Sequence, residues 1–342
     1  MIEDVLFKSP RISSKSTIFI HPPFSVIFFT TLIGIAQGLF LALYTGEVYG
    51  YVGIASESNS LQMMLTGSFL VIVLMMFGLF SSVFHLGRPE RGWRAVSQWR
   101  TSWLSRELIL LLAFTGMAAL WGFIRLIDSN HLLTVLGKVE IQLSLVVGLI
   151  AAILALLLYV CTAMIYVAIK FVQEWNSPLT VINYLLLGLA SGFTLTTVLA
   201  SHFQSPITEF YVVLSIIFIL AASISRMFSL YRNSLVKRKS GDSTALGNRY
   251  LRVRQISQVA VDGAFNSPDL YCQVNPQVMV LVKIFFPIAT FILPFILVIY
   301  GWASDSINIL IAAVVIKYLG LLAERWFFFA QASNLQNVYY QG

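Results

Sequence analysis

Eight long apolar runs divide this sequence, at about 24–46, 62–85, 105–127, 143–171, 179–201, 208–231, 276–300 and 306–329. Each is long enough, or nearly so, for an α-helix to cross roughly 30 Å of hydrocarbon. With 58% hydrophobic and 11% charged residues, the sequence is too poor in polar groups to clothe a water-soluble surface of its size. The runs are continuous and do not alternate polar with apolar residues, which excludes a lipid-facing β-barrel pattern. The expected fold is all-α, an eight-helix membrane bundle over 24–329 between tails at 1–23 and 330–342. No repeat relates spans one to four with spans five to eight. Residues 1–20 hold Glu3, Asp4, Lys8, Pro10, Arg11 and Lys15, which does not read as a cleaved signal, so the first run is expected to stay as a helix.

An even number of spans puts both ends of the protein on one side. Eighteen Lys and Arg residues fall on that side and two, Arg125 and Lys138, on the other; Lys283 and Lys317 lie within spans. Positive charge collects on the cytoplasmic side of membrane proteins, so N-in and C-in is expected, with the two long polar loops, 86–104 and 232–275, also cytoplasmic. This bias accounts for the net charge of +7 without any nucleic-acid partner. The partner composition dictates first is the lipid bilayer.

The densest polar chemistry lies between spans two and three, in SSVFHLGRPERGWRAVSQWRTSWLSRE (81–107), with five arginines, two glutamates, one histidine and three tryptophans. His85 closes the second span. Ser105 is expected to cap the third, placing Glu107 in its first turn, where the helix dipole favours a carboxylate. Histidine, carboxylate and arginine around an amphipathic cleft suit a quinone head group: the imidazole hydrogen-bonds a carbonyl, the acid relays a proton, and the arginine balances charge. Gly87 lets the backbone approach the ring closely. The other reading of the same residues is interfacial, with lipid phosphates as partners and Trp93, Trp99 and Trp103 as belt anchors.

Other candidate ligands are sparse. Two cysteines, Cys161 and Cys272, cannot hold an iron–sulfur cluster, which needs four ligands. The four histidines are His21, His85, His131 and His202, and none sits in mid-span; no haem is expected. Met63, Met64, Met75 and Met76 read as packing. Charges inside spans, at Lys283, Lys317, Glu324 and Arg325, are functional candidates by default. Lys283 is near a span end and should snorkel. Lys317 and Glu324 share a helix face but stand about two turns apart. Glu324 with Arg325 is expected to support the loop site or to pair with a loop arginine. Pro287 and Pro294 are expected to kink span seven, and the 128–142 connection reads as a short mixed loop.

The string HLGRPERGWRAVSQWRTSWLSRE resembles the membrane-anchor subunits of dimethyl sulfoxide reductases, the DmsC family, related to the NrfD and polysulfide-reductase anchors. The tail ERWFFFAQASNLQNVYY resembles the end of that family, and eight spans match it. The resemblance implies an anchor with no redox centre of its own, joining a molybdopterin catalytic subunit and a four-cluster iron–sulfur subunit to the quinone pool, ubiquinone or menaquinone. It carries the quinone-site roles onto His85, Gly87, Arg91 and Glu107, at intervals of two, six and twenty-two residues from His85. In the dimethyl sulfoxide reductases the catalytic subunits face outward, whereas the charge bias here points inward. HPPFSVIFFTTLIGIAQGLFLALY resembles the anchors of a cytoplasmic branch, the sulfite dehydrogenases of sulfur oxidisers. Sulfite oxidation with quinone reduction is therefore the expectation. The alternatives are menaquinol oxidation for dimethyl sulfoxide reduction, an ion or solute transporter lined by Lys283, Lys317 and Glu324, and a tether without a quinone site.

Overall fold

The computed structural model describes residues 24–51, 61–84, 94, 96–127, 132–136, 139–170, 172–236 and 276–332. Among these are eight helical segments long and apolar enough to cross a membrane, as the sequence implies. They are α1 (Phe24–Tyr51), α2 (Leu61–Val83), α3 (Trp103–Leu126), α4 (Leu143–Val167), α5 (Pro178–His202), α6 (Thr208–Leu235), a seventh built in three parts, and α9 (Ile307–Ala330). The connection between α3 and α4, expected as a loop, contains a short antiparallel pair, β1 (Leu132–Leu136) and β2 (Val139–Gln142). The first span runs five residues further than the apolar run suggests, and the fourth stops four residues sooner.

The seventh span consists of α7 (Pro276–Pro287), a π-helical turn (Ile288–Ile292) and α8 (Leu293–Ala303). The two prolines bracket the irregular turn, the expected place for a break in an α-helical ladder. Pro294 has no N–H to give the carbonyl of Thr290, four residues earlier. Lys317 Nζ of α9 donates to that carbonyl at 3.3 Å. Gly320 lets α9 come this close, because a Cβ there would meet the backbone at Ala289 and Thr290.

Helix α1 is the centre of the bundle. Of its apolar stretch 72% is buried, against 33–61% for the other spans. It packs on α2, α4, α5 and α9. On one flank, Phe40 meets Phe114 and Trp121 edge-on, with centroids 5.4 and 5.3 Å away. On another flank Ile27 and Ile35 join Phe286, Phe291 and Leu321. Outward-facing Phe69, Phe77, Ile224 and Leu281 remain exposed, the pattern of a bundle whose solvent is lipid.

Helices α1 and α5 meet backbone to backbone. Both helices carry a G-x-x-x-G repeat, GIAQG at Gly34 and Gly38 and GLASG at Gly188 and Gly192. Small residues at this spacing allow membrane helices to approach backbone to backbone. A Cβ on Gly38 would run into the backbone of Gly188 and Gly192, and one on Gly192 into that of Gly38. Gly188 also makes room for a ring. Tyr159 of α4 lies against Gly188 and donates from Oη to the Gly34 carbonyl at 2.6 Å.

Gly192→Ala should therefore destabilise the bundle by about 1–3 kcal/mol, the cost of overpacking a site that can relax only by backbone movement. Gly116→Ala is the control, because its added methyl group meets nothing within 4 Å. Thermal unfolding of the detergent-solubilised protein should show a loss for the first and none for the second.

Candidate functional site

Alternation of the spans gathers the starts of α1, α3, α5 and α7 and the ends of α2, α4, α6 and α9 at one face of the bundle. The polar loops open on this face, called here the loop face. Of the four residues expected at a quinone site, His85, Gly87 and Arg91 lie outside the described residues. Glu107 is described, and its setting differs from expectation. The residue at the cap position of α3 is Ser102, not Ser105, and it makes no side-chain capping bond. Ser105 is itself buried inside the helix, and Glu107 is the fifth helical residue, beyond the first turn. Glu107 shares the buried helix face of Leu111, Phe114 and Ala118, and this phase turns it inward. It is 3% exposed and accepts a hydrogen bond from Thr162 Oγ1 of α4 at 2.6 Å. The preceding Arg106 faces outward and holds the end of the loop, donating to the carbonyls of Trp99 at 2.9 Å and Arg100 at 2.7 Å.

A second buried group lies in the same half of the bundle. Glu324 of α9 faces Arg226 Nε of α6 at 2.7 Å and Arg325 Nε at 3.5 Å. All three are 4% exposed or less. The sequence suggests a loop arginine as the partner of Glu324. Arg226, counted with the loop-face residues, belongs instead to the interior of α6, nine residues before its end. The Arg325 guanidinium lies 3.7 Å from the centroid of the Tyr184 ring. Tyr184 in turn belongs to an aromatic cluster with Tyr166, Trp175, Phe328 and Phe329, and Trp175 Nε1 donates to the Phe328 carbonyl at 3.0 Å. This cluster ties the end of α9 to the α4–α5 connection.

Between Glu107 and the ion cluster lies a small cavity of about 10 Å³, lined by α1, α4, α5 and α9. Its polar lining is Thr30, Thr31, Gln37, Tyr159, Thr162, Tyr184 and Arg325. Gln37 is 1% exposed, and neither its amide oxygen nor its nitrogen has a protein partner. Thr162, which holds Glu107, and Arg325, which holds Glu324, thus face one space.

A further feature of the loop face is an open apolar groove of about 580 Å³ between α1 and α2, lined by Phe28, Leu32, Phe77, Phe80 and Phe84 with Ser25 and Ser81. Ser81 Oγ donates to the Ser25 carbonyl at 2.8 Å and closes the groove's floor. The groove runs up to Phe84, the residue before His85.

The opposite face holds a polar group that sequence reading misses. Glu47, expected in a loop, is the buried end of α1. It pairs with Arg125, accepts from Trp121 Nε1 at 2.9 Å and accepts from Ser144 Oγ at 2.8 Å, joining α1, α3 and α4. The other ionisable positions are simpler. Lys283 is exposed on α7, as a snorkelling lysine should be. Cys161, Met63, Met64 and Met75 are buried packing residues and Met76 faces outward. His202 ends α5 at the face opposite the loops, while His21, His131 and Cys272 lie outside the described residues.

Fold and cluster together define a multi-pass α-helical membrane protein whose interior is polar in its loop-face half. The model of the DMSO reductase anchor subunit (DmsC) family matches residues 20–331, and the protein belongs to that family. It is 40% identical over 322 residues to the C subunit of sulfite dehydrogenase from Allochromatium vinosum, covering 94% of this protein and 99% of the relative. It is 25% identical over 171 residues to the C polypeptide of the anaerobic dimethyl sulfoxide reductase of Haemophilus influenzae, covering 50% and 56% of the two sequences. The YnfH polypeptide of an anaerobic dimethyl sulfoxide reductase of Escherichia coli is 27% identical over 138 residues, 40% and 45% of the two.

Removing one partner from a buried ion pair leaves an uncompensated charge and costs about 3–5 kcal/mol. Glu324→Ala leaves two buried guanidinium groups facing each other and should lower stability by that order, whereas Lys283→Ala should leave it unchanged. Chemical or thermal unfolding in detergent distinguishes the two.

Proposed function

We propose that this protein is the membrane anchor and quinone-binding subunit of a molybdopterin oxidoreductase complex, with the quinone ring at the loop face beside His85, Gly87, Arg91 and Glu107. The observation that carries this reading is Glu107: a buried carboxyl at the loop end of α3, held by one hydroxyl and adjoining a polar interior. A carboxyl so placed suits a proton carrier better than a lipid-phosphate contact, because phosphate headgroups attract cations and lie outside the hydrocarbon. The aromatic groove ending at Phe84 fits an apolar quinone tail whose ring sits near His85.

In the proposed reaction, the molybdopterin subunit oxidises sulfite with water to sulfate, releasing two electrons and two protons, and the electrons reach the quinone through a four-cluster iron–sulfur subunit. The quinone takes up two electrons and two protons to become quinol. The anchor supplies position and protons. His85 donates to a ring carbonyl, Glu107 passes a proton to the reduced oxygen, and Arg91 balances charge meanwhile. Sulfite is favoured as the ultimate reductant because the relative named for sulfite dehydrogenase aligns over 99% of its length, whereas the dimethyl sulfoxide reductase relatives align over about half of theirs. The second reading, quinol oxidation for dimethyl sulfoxide reduction, draws on the family description itself. A transporter lined by Lys317 and Glu324 is the less favoured class, because a family of oxidoreductase anchor subunits matches residues 20–331.

The charge bias supports a bacterial inner-membrane protein with both ends, the loop face and the partner subunits on the cytoplasmic side. Reporter fusions at the C-terminus should be active as cytoplasmic enzymes and inactive as periplasmic ones; the reverse result would return the protein to the outward-facing dimethyl sulfoxide arrangement. In the assembled complex, Glu107→Gln and His85→Ala should each lower quinone-linked turnover by about 10²-fold or more, with sulfite oxidation by an artificial acceptor retained. Undiminished turnover to quinone would remove the site from this loop.

A further inference from the structure

Arg106 and Glu107 are neighbours in sequence and part company in the fold. Glu107 turns into the bundle, and Arg106 stays outside it. The Arg106 guanidinium is held at three points. Its Nε donates to the Trp99 carbonyl at 2.9 Å, its Nη2 donates to the Arg100 carbonyl at 2.7 Å, and it lies 4.4 Å from the centroid of the Trp103 ring. Its Nη1 edge meets no acceptor among the described residues. The bond to the Arg100 carbonyl brings a second cation alongside. The Arg100 side chain is exposed, makes no hydrogen bond among the described residues and stands over the Trp99 ring at 5.4 Å. No carboxylate among the described residues pairs with either arginine. The carboxylate next in sequence, Glu107, is committed to Thr162.

Both arginine–tryptophan pairs stand where α3 enters its span. Ile109, three residues beyond Arg106, faces outward, and Leu112 is exposed in the next turn. Cations at the rim, indoles at the boundary and apolar side chains below them match the levels of a phospholipid: phosphate, glycerol ester and acyl chain. A soluble phosphate compound could use the two arginines but would leave the indoles and the apolar strip without a part. A zwitterionic headgroup would bring its own ammonium beside two guanidinium groups, whereas an anionic headgroup brings no such repulsion. We infer that Arg100 and Arg106, with Trp99 and Trp103, form a binding site for one anionic phospholipid. Its phosphate rests on the two guanidinium groups, and its chains run down α3 past Ile109 and Leu112. Guanidinium matches phosphate with paired hydrogen bonds. Because Arg106 is held beforehand, binding costs it little side-chain freedom. The site does not depend on the quinone reading. It gives the outward side of this stretch to lipid and leaves the inward side to Glu107.

Native mass spectrometry of the assembled complex, incubated with phosphatidylglycerol or with phosphatidylcholine, tests the site. Phosphatidylglycerol should stay bound while phosphatidylcholine is lost; equal retention of the two would overturn the proposal. Arg100→Gln removes a side chain that makes no hydrogen bond, so the fold should survive it. It should raise the phosphatidylglycerol concentration needed for half-occupancy about fivefold, and the double variant with Arg106→Gln should raise it about thirtyfold. Lys283→Gln, which removes an exposed cation on α7, should leave occupancy unchanged. Wild-type occupancy in the arginine variants, or an equal loss in the Lys283 control, would show that no specific site exists here. Inorganic phosphate should not displace the lipid; if it does, the site takes free phosphate and the lipid assignment fails. It fails equally if cryo-electron microscopy of the complex shows a partner-subunit carboxylate seated on Arg100 and Arg106.

Discussion

The backbone contact between α1 and α5 sets the geometry of everything else in this bundle. In lipid, apolar side chains gain nothing by leaving a hydrocarbon solvent for a hydrocarbon core, so helices are held by close packing and internal polar bonds. Gly38 and Gly192 supply the first by letting two backbones touch. Gly188 leaves the space that the Tyr159 ring occupies, and the Tyr159 hydroxyl donates to the Gly34 carbonyl. That one ring therefore locks α4 to the α1–α5 pair. The space left beside it is the polar cavity, so the packing motif and the polar interior have a common origin. The π-helical turn repeats the logic at smaller scale: Gly320 brings α9 close, and Lys317 reaches a carbonyl that Pro294 cannot serve.

The number and rough limits of the spans are legible in the sequence because a run of about 20 apolar residues has few other fates. What escapes is mostly pairing. Glu47 stands where an apolar run gives way to polar residues, and only the fold brings it to Arg125, Trp121 and Ser144, on helices far along the sequence. Arg226 reads as a loop-face cation because the run around it, SISRMFSLYR, weakens before the helix does. The paired glycines do carry a signal, GIAQG against GLASG, in spans one and five. It is silent when the two halves of the sequence are compared as wholes, and shows only when single helices are taken as packing partners.

For the candidate site, the residue type is legible and its orientation is not. With Ser105 as the cap, Glu107 would stand in the first turn, facing the dipole's positive end and the loop. The helix begins at Trp103, so Glu107 already belongs to its body and keeps the phase of Leu111, Phe114 and Ala118, the buried face that meets α4.

Interior placement changes what the carboxyl can do. At the rim, Glu107 would exchange protons with solvent through the loop, and the rest of the bundle would be scaffold. Buried, it can work only if some other polar group meets it, and the one that does, Thr162, opens on the cavity shared with Arg325. The loop-face half of this membrane domain carries buried charge on α3, α6 and α9 together with a polar space between them. A tether would need none of that, and natural bundles seldom bear the desolvation of three charged side chains without return. The two arginines and the glutamate of the ion cluster stand beside the space that Glu107 reaches, in the half of the bundle from which the two long polar segments of the sequence leave. Charge inside the bundle and the chemistry proposed at its rim thus share one half of the membrane domain.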